Sequence, residues 1–163
     1  MVEDKVVVDQ KQSSAPTGRD KPRVGVGVMI LNENGEVLLG KRVDDPIKAS
    51  SDLHGEGCWT MPGGKLEFGE TLLDGAAREV LEETNIVIDK SKTKLISITN
   101  EIRPGVHYVT AGFLYEKFNG QAQVMEPEEI TEWKWYNLDS LPENIFLPST
   151  KMIKAYLNNK IYN

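Results

Sequence analysis

Residues 61–86 read MPGGKLEFGETLLDGAAREVLEETNI. The second half of this stretch predicts a helix. Thr71 is a good N-cap, and Asp74 three residues later completes a capping box. Leu73, Ala77, Val80 and Leu81 recur at helical spacing and predict a buried stripe. Asn85, which tolerates the left-handed conformation, stands where the helix must end. At about 100° per residue, Glu79, Glu82 and Glu83 fall at i, i+3 and i+4 and share one face, roughly opposite the stripe. Like charges at that spacing cost only about 0.2–0.5 kcal/mol per pair, so a solvated acidic face is the bland reading. The residues before the helix argue against it. Pro62-Gly63-Gly64 is a rigid turn followed by two flexible positions, which lets backbone carbonyls approach a ligand closely.

On the N-terminal side, Val24, Val26, Val28 and Ile30 alternate with Gly25, Gly27, Met29 and Leu31, the period of a strand. The glycines imply close packing on one face. NENG (32–35) is a turn and EVLLGKR (36–42) a second strand, so the two form a hairpin. Residues 43–57 form a long polar loop of the kind that often binds ligands. CWTMP (58–62) is a short strand stopped by Pro62. Further strands are expected at 94–100, 107–118 and 132–137. A closing helix is expected at 148–159, capped by Ser149, with an apolar stripe of Met152, Ile153, Tyr156 and Leu157. Residues 1–22 lack apolar periodicity and read as a flexible N-terminal tail, leaving one folded domain at 23–163. Within the tail, VVV (6–8) is too short to count as a strand. Strands, helix, strands, helix make a mixed α/β domain.

Composition narrows the function. In 163 residues, Lys+Arg 19 against Asp+Glu 25 leaves a net charge of −6, without the surplus cation that a nucleic acid polymer requires. No apolar run approaches the roughly 20 residues that span a bilayer, so no membrane partner is expected. No signal core opens the chain. The lone Cys58 forms no internal disulfide, and a cytoplasmic protein is the expectation. Two His and one Cys, far apart in sequence, make a zinc site a poor reading.

Acids are concentrated instead. Residues 67–83 hold six and 126–132 hold four of the 25, the latter being Glu126, Glu128, Glu129 and Glu132. If the fold joins these windows, the donor set is hard oxygen, suited to Mg²⁺ or Mn²⁺. Carboxylates about 5 Å apart repel by about 3 kcal/mol at an effective dielectric near 20, which a divalent cation reverses. An acidic pocket of this kind points to phosphate-ester or pyrophosphate chemistry.

Gly64, five residues, Glu70, seven residues, then Arg78-Glu79-Val80-Leu81-Glu82-Glu83-Thr84-Asn85-Ile86 resembles the Nudix box over 23 residues. One position departs: the family's glycine is Asn85 here, a residue that enters the left-handed region readily. The flanks (PRVGVGVMIL, LLGKR, HYVT, MEPEE, EWKWY) resemble the MutT-type subgroup that hydrolyses nucleoside triphosphates. The resemblance implies a Nudix-type α/β/α sandwich with a mixed β-sheet. It implies metal binding by Glu79, Glu82 and Glu83, with the carbonyl of Gly63 or Gly64 nearby. Glu79 and Glu82 become the catalytic candidates, Glu79 to orient or deprotonate the attacking water. Gly64, Glu70 and Arg78 become structural, Arg78 pairing with Glu70. One glutamate of 126–129 would complete the metal site, and Glu128 is taken for it. Thr110, Phe146 and Leu147 sit where that subgroup lines its base pocket. Arg42 either reaches substrate phosphates or is a surface residue at a strand end.

Trp59, Trp133 and Trp135 are read as core, His107 as an ordinary strand residue and Cys58 as a buried small hydrophobe. Exposed apolar strand faces favour a homodimer. Three functions stand: a Mg²⁺-dependent nucleoside triphosphate pyrophosphohydrolase acting on standard or modified nucleotides, an ADP-ribose or sugar-nucleotide pyrophosphatase, and a non-catalytic nucleotide-binding module. Intact helix carboxylates disfavour the last.

Overall fold

The structure is a computed structural model that describes residues 21–48 and 51–162. Most of the expected tail, including VVV at 6–8, lies outside the described residues. The elements are β1 (Arg23–Asn32), β2 (Val37–Arg42), β3 (Trp59–Thr60), β4 (Gly63–Lys65), α1 (Leu72–Thr84), β5 (Lys94–Arg103), β6 (Val106–Phe118), β7 (Ile130–Tyr136) and α2 (Leu147–Asn158). A 3₁₀ turn at Lys90–Lys92 precedes β5.

β1 is the spine of the sheet. It runs parallel to β6 from Arg23↔Tyr108 to Asn32↔Phe118. Its other edge is shared: Gly25, Val26 and Gly27 pair antiparallel with β4, and Leu31 pairs with Val37 of β2. β5 lies antiparallel outside β6, while β3 and β7 both pair antiparallel with β2. One parallel pair among antiparallel ones makes the sheet mixed, as expected.

Strand periodicity sorts the core into two layers. Val26, Val28 and Ile30 face α1 with Ala76 and Val80, and Met29 and Leu31 face α2 with Met152 and Ile153. Helices on both faces give the α/β/α sandwich. The β1 glycines serve the α2 side: a Cβ at Gly27 would sit 2.8 Å from Met152 Cε. Trp59 is buried, and Trp133 and Trp135 pack against the α1 layer.

Four local readings need correction. Gly63–Lys65 is a strand, because flat Gly-Gly backbone pairs with Gly27 and Val26 where a Cβ at Gly63 (φ +156°) would strike Val26 and Gly27. Leu81 is exposed, and Ala76, Val80 and Thr84 form the buried line of α1. The helix is rotated so that Glu83 faces inward. Ser149 does not cap α2: the N-cap is Phe146, with Pro148 in the first turn, and Ser149 is buried with its Oγ accepting from the Met61 N–H at 3.0 Å. Cys58 is only half-buried.

Other local signals hold. The Asp74 N–H donates to Thr71 Oγ1 at 3.1 Å, and Asn85 ends α1 in the left-handed region at φ 59°. His107 Nε2 lies 3.4 Å from Asn100 Oδ1 within the sheet.

Gly40 is paired with Trp133 across β2 and β7, and a Cβ there would sit 2.7 Å from the indole. The same indole donates to the Glu83 carbonyl at 3.3 Å. Gly40→Ala is therefore expected to cost about 1–3 kcal/mol by overpacking, read as a lower urea midpoint with a red-shifted tryptophan emission.

Candidate active site

α1 ends against β4, and that contact builds the site. Glu83 is buried, and its Oε2 accepts the Gly63 N–H at 2.9 Å. Gly64 has no side chain to spare: a Cβ would lie 2.5 Å from the Glu79 carboxylate. The two glycines thus let two carboxylates press against backbone. Glu82, one turn from Glu79 and on the outer side, is half-exposed.

Arg78 organises the outer carboxylates. It makes a two-point bond to Glu70, Nε to Oε1 at 2.7 Å and Nη2 to Oε2 at 3.1 Å. Its Nη1 donates to Glu79 at 2.9 Å and Glu82 at 3.0 Å, and its Nη2 to the Lys65 carbonyl at 3.0 Å. One guanidinium therefore ties the loop before α1 to β4 and offsets three acids, a fork geometry that Lys could not supply. These bonds, led by that to Glu70, raise the Arg78 pKa.

The second acid window does reach the first. Glu126 and Glu129 line one cavity with Glu79 and Glu83. Glu128 is exposed and is not in that lining, which corrects its choice as the fourth acid. The turn before β7 aims Glu126 and Glu129 inward and Glu128 outward. Burial first, then neighbouring carboxylates, pushes Glu83 well above the usual carboxylate range. Burial also pushes Glu79 up, opposed by Arg78, and raises Glu126, with Glu129 adding to it. Among the described residues no three acidic, His or Cys side chains converge as a ready metal-ligand group, and Arg78 holds oxygens of both Glu79 and Glu82.

The cavity measures about 330 Å³. Its lining also includes Arg42, Leu53, Tyr108, Thr110, Phe146 and Met152. Of the residues expected to touch substrate, Arg42, Thr110 and Phe146 are there, with the Arg42 guanidinium 5.2 Å from the Phe146 ring centre. Leu147 is exposed and absent from the lining, because α2 begins at that residue and turns it outward. The long loop contributes Ser51 and Leu53. It is tethered by Asp52, which accepts from Arg23 and, at 3.2 Å, from the Tyr108 hydroxyl.

Sequence reasoning missed Glu101. Its side chain is fully buried beside the cavity, accepting from Thr99 and Thr110 and paired with Lys151. A Thr-x-Glu alternation in a strand (Thr99, Glu101) was the available signal: it puts an acid on a face otherwise expected to be apolar.

A NUDIX domain model matches residues 21–156. The chain belongs to the Nudix hydrolase family. The RNA pyrophosphohydrolase of Rickettsia bellii is 33% identical to this Nudix hydrolase over 155 residues, covering 82% of this chain and 86% of that protein. The ADP-ribose pyrophosphatase of Methanocaldococcus jannaschii is 31% identical over 140 residues, covering 85% and 75%. A solved MutT Nudix hydrolase from Burkholderia pseudomallei superposes with a TM-score of 0.71 at 30% identity, covering 83% of this chain and 98% of that one. As a Nudix hydrolase the chain is a pyrophosphohydrolase. No helix among its described residues is long and apolar enough to cross a membrane.

The raised Glu83 carries a linkage sign. Folded protein binds more protons than unfolded protein in the interval above the ordinary carboxylate value. Stability of the metal-free protein therefore falls as pH rises through that interval and is restored below it. In chelator, Glu83→Gln should melt higher than the parent at pH about 8 by a few degrees, roughly 2–4 °C per kcal/mol for a domain of this size, and the gap should close toward pH about 5. A gap that is independent of pH would contradict the assignment.

Proposed function

We propose that this Nudix hydrolase cleaves nucleoside triphosphates, standard or modified, to the monophosphate and pyrophosphate. The observation carrying this is one cavity lined by two chemically different sets of residues. Four carboxylates (Glu79, Glu83, Glu126, Glu129) form one set, and Thr110, Tyr108, Leu53 and Phe146 form the other.

The donor set fits a divalent cation. It is all carboxylate, with backbone brought close at Gly63 and Gly64, and it lacks imidazole and thiolate. Glu79, Glu82 and Glu83 with Glu126 or Glu129, in place of Glu128, would hold Mg²⁺ or Mn²⁺. When bound, the ion supplies charge neutralisation for the phosphates and Lewis-acid activation of water.

The chain's own residues do the rest. Glu79, half-buried and raised by burial, is the acid best matched to take a proton from the attacking water. Glu82 supports it from the outer side. Glu83 is held by the Gly63 N–H, so its carboxylate is fixed in place before substrate arrives. Arg78 and Glu70 keep the loop against α1. Arg42, beside Phe146, would face the phosphates while the ring and Thr110 meet the base.

A second reading has specific support: the two relatives named above carry the names RNA pyrophosphohydrolase and ADP-ribose pyrophosphatase. The net charge of −6 opposes a long nucleic acid substrate.

The test is a panel with Mg²⁺: standard and 8-oxo triphosphates, ADP-ribose and a 5′-triphosphorylated oligonucleotide, with products resolved. Pyrophosphate and monophosphate from free triphosphates are expected. Turnover of ADP-ribose or the oligonucleotide alone would transfer the assignment to that substrate. Glu79→Gln should lower kcat about 10²–10⁴-fold and Glu83→Gln most of the activity, with the fold kept. Full turnover by Glu83→Gln in Mg²⁺ would refute the reading.

A further inference from the structure

Four hydroxyl groups that line the cavity have already committed their protons. Thr110 Oγ1 donates to Glu101 Oε2 at 3.0 Å, and the Tyr108 hydroxyl donates to Asp52 at 3.2 Å. Thr60 Oγ1 donates to the Met61 carbonyl at 3.0 Å. Ser149, which accepts from the Met61 N–H, is left as the donor in its 3.3 Å contact with Thr60. Ser51, on the loop, accepts from the Leu53 N–H and is the exception. What those four hydroxyls can still offer a ligand is lone pairs.

Thr110 is the most firmly polarised of them. Glu101 is completely buried, and its Oε1 is held by Thr99 at 3.0 Å and by the Lys151 ammonium at 3.1 Å. Lys151 also donates to the Asn100 carbonyl. A carboxylate so bound has only acceptor oxygens, so the Thr110 proton must point at Oε2. The hydroxyl is kept open by its strand neighbour: a Cβ at Gly25 would lie 3.3 Å from Thr110 Oγ1.

We infer that Glu101 is a positioning residue that makes Thr110 an obligate acceptor, and that the site therefore selects nucleobases presenting an N–H donor to Thr110. The inference rests on the nucleotide reading above. A buried acceptor met by another acceptor stays unpaired, which is how polar sites reject near-isosteres. An exocyclic amine satisfies Thr110, and a carbonyl or a bare C–H in its place does not.

The geometry also says how the polarity would invert. In Glu101→Gln, Lys151 and Thr99 both demand an acceptor at the Oε1 position, so the amide oxygen goes there and the NH₂ faces Thr110. Thr110 then accepts from the protein and turns its proton into the cavity. The selected base edge should change from donor to acceptor.

Substrate pairs in which one exocyclic amine is replaced by hydrogen read this directly: GTP against ITP, and ATP against purine riboside triphosphate. Dissociation constants by calorimetry and kcat/KM are measured together. At least one pair should favour the amine about tenfold or more in the parent. Thr110→Ser should keep that ratio, Thr110→Val should bring it to about one, and Glu101→Gln should reduce or reverse it. A packing defect alone would weaken both members of a pair equally and leave the ratio unchanged, which overturns the inference. So does a parent that discriminates no pair by more than about threefold, or one that binds none of them. Thr110→Val retains the Glu101–Lys151 pair, so the test stands even if Glu101→Gln unfolds. Binding ratios without any hydrolysis would fail the proposed reaction and leave this inference readable.

Discussion

The bond from the Gly63 N–H to the Glu83 carboxylate carries the architecture of the site. A fully buried carboxylate is costly unless it is hydrogen-bonded. Here the cost is accepted at the seam where α1 meets β4, and β4 in turn is hydrogen-bonded to β1 at the centre of the sheet. The helix cannot slide or rotate without breaking that buried hydrogen bond. Glycine at 63 and 64 is what allows it, since backbone must come closer to Val26 and to the Glu79 carboxylate than any Cβ permits.

Around that seam the protein concentrates like charge and then offsets it. Arg78 gathers Glu70, Glu79 and Glu82 on one guanidinium. Glu83 and Glu126 are pushed toward their protonated forms by burial and by neighbouring carboxylates. An arrangement that resists ionisation in isolation is one that gains most from a bound cation.

Beside the same cavity, a second buried carboxylate is used differently. Glu101 is compensated in full by Lys151, Thr99 and Thr110, and it pins α2 to β5. One carboxylate is left under-compensated and the other is saturated. β1 and β6, lying parallel, bring Gly25 opposite Thr110, and both residues line the cavity.

The local signals in the sequence were sufficient for the fold class. The Thr71 cap, the Asn85 stop, the strand alternation from Val24 to Leu31 and the turn at 32–35 each depend on neighbours within a few residues, where propensity and sterics act directly. The box residues were legible for the same reason, as one helix face and one loop. What spacing could not decide was anything closed over long separations. Which of Glu126, Glu128 and Glu129 turns inward depends on a turn packed against α1 about 40 residues earlier in the chain. Leu81 was assigned to the core because periodicity locates an apolar face but not its angle, and the angle was set by Glu83 seeking the Gly63 N–H. Glu101 left only the Thr99-x-Glu101 alternation as a local trace, because its other partners, Thr110 and Lys151, come from β6 and α2. The amino-acid sequence by itself determined the elements and the chemistry available to them. Only the tertiary structure decided which carboxylates share a cavity and which hydroxyls have protons left to give, since burial and hydrogen-bond direction are properties of residues brought together from distant parts of the chain.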